Sequence, residues 1–129
     1  MSVQINYKNN ISNKKAHNLV LFIDDKFTIF NLKKHISATD YNVISDLIKN
    51  RDAKKKIVAF DINSKKKIIL VSIKKNITSS DVENLGAIFY GQFKQSKIKI
   101  FIVNSETLSN QQKNLIGYFV HGLKLKSYI

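Results

Sequence analysis

The sequence predicts a single α/β domain of three layers, α/β/α, with a mixed sheet of about five or six strands between helices. Three observations predict it. The first is a set of apolar runs rich in β-branched residues, above all Lys67-Ile68-Ile69-Leu70-Val71-Ser72-Ile73, which reads as a strand covered on both faces. The second is the pattern of residues 82–103. Val82, Leu85, Phe89 and Phe93 recur at helical spacing, with Gly86 beside them, and Ile98-Lys99-Ile100-Phe101-Ile102-Val103 is a further apolar strand. Strand, helix of about four turns and strand make a βαβ unit, whose crossover is right-handed in nearly all cases. The third is the length: 129 residues with no proline, internal repeat or low-complexity linker make one domain, long enough to bury a core.

The remaining elements fall on either side of this unit. Residues 3–7 alternate as a short strand, and residues 9–15 are a polar connection. Leu19-Val20-Leu21-Phe22-Ile23 is the second strand, and Asp24-Asp25-Lys26 turns the chain. Residues 27–34 are ambiguous, with Thr28-Ile29-Phe30 readable as a short strand and the residues after it as a helical turn. Thr39 and Asp40 are placed to cap a helix whose apolar stripe is Val43, Ile44, Leu47 and Ile48. Residues 56–62 form the third strand. Asn63-Ser64-Lys65-Lys66 is a hairpin-length link, so this strand and the central one are expected to run antiparallel. Ser80 and Glu83 have capping-box spacing at the start of the helix of the βαβ unit, as do Ser109 and Gln112 ahead of the last helix. That last helix buries Leu115, Ile116, Phe119, Val120 and Leu123. Gly117 and Gly122 lie inside it, which implies a close helix approach at both, since glycine is otherwise unfavourable there by about 0.8–1.0 kcal/mol.

The formal charge of +13 suggests a polyanion partner. Composition gives a simpler account. Arg51 is the single arginine, although arginine is the usual fork for bidentate phosphate and guanine contacts. Ile and Asn are abundant, and their codons, like those of Lys, can be built from A and T alone. Genome bias therefore accounts for the charge, and any nucleic-acid binding is expected to be weak and non-specific. The lysine triplets at residues 54–56 and 65–67 read as solvated strand ends that also blunt edge pairing. There is no cysteine, hence no disulfide and no thiolate metal site. No apolar run reaches membrane-spanning length, and the N-terminus lacks an apolar signal core, so a soluble cytoplasmic protein without a membrane partner is expected.

No catalytic, cofactor-binding or metal-ligating residue stands out in the sequence. His17, His35 and His121 are scattered, none with a second ligand at metal spacing. Asp24-Asp25 is ordinary turn chemistry, and Asp61 stands alone. No glycine-rich phosphate loop comes after the central strand: Ser72-Ile73-Lys74-Lys75-Asn76 holds no glycine.

Two segments carry a family resemblance. Ile44-Ser45-Asp46-Leu47-Ile48-Lys49-Asn50-Arg51-Asp52, then strand, hairpin and central strand, then Thr78-Ser79-Ser80-Asp81 opening a helix, resembles the N-terminal domain of the leucyl (cytosol) aminopeptidase family. Gly122-Leu123-Lys124-Leu125-Lys126-Ser127-Tyr128 is similar to the glycine, leucine, leucine, tyrosine segment that precedes that family's catalytic domain. The chain departs from the family in having Ser72, Lys74 and Lys75 where a glycine-containing turn is usual, and His121 where an acid often precedes the glycine. The resemblance implies a macro-domain-like fold for residues 1–129 and a non-catalytic role in assembly of a homohexamer or in access to the catalytic cavities. The two divalent metal ions and all catalytic residues would belong to a C-terminal catalytic domain, the natural partner of this one, in a metal-dependent hydrolase. The alternatives are a lysine-rich nucleic-acid-binding module and a macro-like domain that binds ADP-ribose; the latter needs backbone N–H groups presented by glycine-rich loops.

Overall fold

A computed structural model describes residues 4–6, 18–95 and 100–128. The fold is mixed α/β. Its strands are β1 (Gln4–Asn6), β2 (Asn18–Ile23), β3 (Ile57–Asn63), β4 (Lys66–Ser72) and β5 (Ile100–Asn104), and its α-helices are α1 (Ala38–Leu47), α2 (Ser79–Phe93) and α3 (Leu115–Ser127). The sheet runs β1-β5-β2-β4-β3, with β3 antiparallel to β4 and every other pairing parallel. The hairpin expectation holds: Asn63 Oδ1 accepts from the Lys65 amide at 2.8 Å and closes the turn between β3 and β4. The βαβ unit is present as β4, α2 and β5, but its two strands are not neighbours. β2 lies between them.

Each face of the sheet is covered, and the alternation of side chains sorts the core into two clusters. Val20, Phe22, Ile69, Val71, Phe101 and Val103 point to the face on which α2 and α3 pack. Leu19, Leu21, Ile68 and Leu70 point to the other, against Leu32, Ile36, Ile44 and Ile48. All six residues of β2 are buried, as a central strand with two covered faces requires. On the first face Phe89 meets Phe101 edge-on at 5.3 Å and Phe119 at 5.6 Å, and Phe22 meets Phe119 at 5.4 Å, separations typical of favourable aromatic pairs.

Gly86 and Gly122 set the α2–α3 crossing. A Cβ on Gly86 would fall on the carbonyl oxygen of Phe119, and one on Gly122 on that of Glu83, well inside van der Waals contact. The expectation of a close approach at Gly122 is met. At Gly117 it is corrected: a Cβ there meets nothing within 4 Å.

The caps differ from those expected. Ser37, not Thr39 or Asp40, caps α1, its Oγ accepting from the Asp40 amide at 3.1 Å. Thr78, not Ser80, caps α2 in the same way through the Asp81 amide at 3.1 Å. Ser109 and Gln112 bound a short 3-10 turn, and α3 starts after it at Leu115, its N-cap position Asn114 making no side-chain cap. At α1 and α2 the Ser/Thr-x-x-Asp spacing that caps the helix lies two residues upstream of the expected one, and the last helix begins later than expected. The helical turn expected after Phe30 is present as a 3-10 turn over Phe30–Lys34, but Thr28-Ile29-Phe30 forms no strand. Val3, Tyr7, Ile98 and Lys99 of the expected strands lie outside the described residues. Among the described residues, no helix is long and apolar enough to cross a membrane.

Candidate functional site

Strand order creates a concavity at one end of the sheet. β2 leaves the sheet at Ile23 toward the face of α1, whereas its neighbours β4 and β5 lead to α2 and α3 on the opposite face. Adjacent parallel strands whose connections part in this way open a crevice at their carboxyl ends. A cavity of about 440 Å³ lies there, within the roughly 300–1,000 Å³ of small-molecule sites.

The wall contributed by the β2 exit begins with a tight turn. The Phe27 amide donates to the Asp24 carbonyl at 3.1 Å, and the Thr28 amide to Asp24 Oδ1 at 2.8 Å. Phe27 takes a left-handed φ of 56°, which is unfavourable for a bulky side chain. It is held there by burial of its ring and by the Arg51 guanidinium, whose centre lies 4.6 Å from the ring centroid. The turn presents Asp24 and Thr28 to the cavity, and the 3-10 turn beyond adds Lys34 and His35.

The opposite wall comes from the β5 exit. Thr107 Oγ1 accepts from the Phe22 amide at 2.8 Å and donates to the Asn104 carbonyl at 2.8 Å, so it clips this wall to β2. Gln112 Nε2 donates to the carbonyls of Lys74 and Lys75, at 3.1 and 3.3 Å, and ties it to the β4 exit. Glu106 lies on this wall. His35 faces it: Asn104 Nδ2 is 3.5 Å from His35 Nδ1. Burial lowers the His35 pKa below its usual 6.5; nearby Glu106 opposes the shift and Lys34 adds to it.

The outer side of α3 is a second candidate surface. Tyr118, His121, Leu125 and Tyr128 share one stripe of the helix, and all are exposed, Tyr128 by 84%. His121 Nδ1 lies 3.2 Å from Glu83 Oε2 on α2.

The residues weighed from the sequence are dispersed. His17 is outside the described residues. His35 reaches the cleft and His121 the α3 surface. Asp24 lines the cleft, and Asp25 turns to a smaller cavity of about 240 Å³ beside the β4 exit. Asp61 is exposed within β3, 3.7 Å from Lys67. Among the described residues, no three of His, Asp and Glu gather as metal ligands do. Two of the lysines read as solvated strand ends are not: Lys66 pairs with Asp40 in a largely buried ion pair, and Lys67 lies over the Phe93 ring. Lys34, Glu106 and Thr107 carried no signal in the sequence, because they meet only across the sheet. Comparison of the chain with protein-family models, with curated proteins and with solved structures returned no match.

Proposed function

We propose that this chain is the non-catalytic N-terminal domain of a two-metal leucyl aminopeptidase, a three-layer, macro-domain-like unit serving assembly of the peptidase or access to its cavities. The observation that supports this best is how residues 122–128 divide between two surfaces. Gly122 and Leu123 face inward against α2 and the core. Leu125 and Tyr128 face outward and are exposed. A helix that is anchored on one side and carries aromatic and aliphatic residues on the other is suited to dock against a further surface, since interface cores are enriched in such residues. In this reading the occupant is the catalytic domain of the same polypeptide. The ADP-ribose alternative is weakened because all four glycines lie inside α2 and α3, which leaves the cleft rims without glycine.

Two measurements test the assignment. The purified chain, supplied with zinc, manganese or magnesium, is expected to release no p-nitroaniline from leucine p-nitroanilide, because hydrolysis at a two-metal site needs carboxylates that hold both ions. Metal-dependent release that survives repurification would overturn it. The reading frame beyond Ile129 is expected to encode the aspartate, glutamate and lysine motifs of a two-metal peptidase; a stop codon at that point is the opposing result.

A further inference from the structure

We propose that the cleft at the carboxyl ends of β2 and β5 binds a zwitterionic ligand with an apolar side chain, an α-amino acid or a short peptide. Its lining carries both signs of charge, Lys34 beside Asp24 on one wall and Glu106 on the other. Lys34 stands on the wall built by the β2 exit and Glu106 on the wall built by the β5 exit. Among the described residues neither takes part in an ion pair. His35, next to Lys34 in the chain, also lines the cavity, with Asn104 Nδ2 3.5 Å from its Nδ1. The space between the walls is floored by Phe22, Ile23 and Ile73.

This arrangement selects against ligands of one sign. A diphosphate would gain Lys34 but bring its charge against Glu106 and Asp24, and like-charge juxtaposition is an effective means of rejection; a simple cation would leave Lys34 without a counter-charge. A molecule carrying a carboxylate and an ammonium satisfies both walls at once, the carboxylate toward Lys34 and the ammonium toward Glu106. Its apolar side chain then covers the floor, where removing apolar surface from water is favourable. The cavity volume accommodates either a free amino acid or a dipeptide.

Isothermal titration of the chain with leucine, leucyl-leucine, N-acetylleucine and leucinamide tests the proposal. At least one zwitterion is expected to bind. Each blocked form, lacking the ammonium or the carboxylate, is expected to bind at least about tenfold more weakly than leucine, a difference of about 1.4 kcal/mol. The better of leucine and leucyl-leucine identifies the source of the ligand, and either supports the proposal. Glu106→Gln is expected to remove the preference over N-acetylleucine, and Lys34→Met the preference over leucinamide, with far-UV circular dichroism checking that both variants fold. The comparison of blocked and free ligands on the parent chain stands without the variants. The proposal is overturned if neither zwitterion gives heat up to about 10 mM, a level that would detect even millimolar affinity. It is equally overturned if the blocked forms bind as well as the free ones, or if ADP-ribose binds in their place.

Discussion

Gly86 and Gly122 show most directly how single residues set this structure. No glycine in the described chain has a positive φ, so conformational freedom does not account for either. Space does, because each lies against the backbone of the opposing helix. Gly86→Ala and Gly122→Ala are each expected to destabilise the fold by about 1–3 kcal/mol or more, as overpacking of a tight contact does. Gly91 and Gly117 have open space where a Cβ would go. Alanine there is expected to stabilise, by up to about 0.8–1.0 kcal/mol from helix propensity. Urea melts of the four variants check both signs. His35 supplies a pH dependence. Its pKa is lowered in the fold, chiefly by burial, so the unfolded chain takes up the proton first as pH falls. The contribution of neutral His35 is thus intact above about 6.5 and is lost as pH falls through that value toward the folded pKa. His35→Gln is expected to flatten this part of the stability profile between about pH 7.5 and 5, measured by thermal melts at fixed ionic strength.

Among the elements, α3 is the one whose attachment most affects the core. Phe119 is fully buried between Phe22 and Phe89, and Leu123 is 2% exposed beside it. Phe119→Ala is therefore expected to cost about 3–5 kcal/mol, while the exposed Lys124→Ala should remain within about 0.5 kcal/mol of the parent. A Phe119→Ala variant that melts in urea like the parent would mean that α3 is not docked on this core. The other face is fastened differently. Asp40, in the first turn of α1, accepts a hydrogen bond from Lys66 Nζ on β4, so an ion pair with little solvent around it joins that helix to the sheet. Its carboxylate also sits where a helix N-terminus favours negative charge.

For the molecule as a whole, the excess of positive charge remains to be placed. The single arginine is already engaged, over the Phe27 ring and with its Nη1 donating to the Ile48 carbonyl at 3.2 Å. Lysine can neutralise phosphates but lacks the base-reading fork. Duplex DNA binding is accordingly expected to be weak, independent of sequence and steeply reduced by salt. Titration of unrelated duplexes at low and near-physiological salt checks this. Tight binding to one sequence at about 150 mM salt, in the range of specific complexes, would show that the charge serves recognition.

Periodicity was enough to establish the elements. β2, β4 and β5 were legible as apolar runs, and α1, α2 and α3 as stripes at helical spacing, because both patterns are local and a few consecutive residues display them. The antiparallel β3–β4 pair was legible because a short link leaves the chain no room for a crossover. The caps were only partly legible, because several serines and threonines close together in sequence offered similar spacing. Beyond that pair, strand order was not legible. That β2 inserts between β4 and β5 depends on which buried faces fit together, and every cleft feature stems from it, from the parting of the connections to the facing of Lys34 and Glu106. Side chains far apart in sequence become neighbours only through that choice. It is made by burial summed over the whole sheet, a quantity that no single stretch of the chain contains.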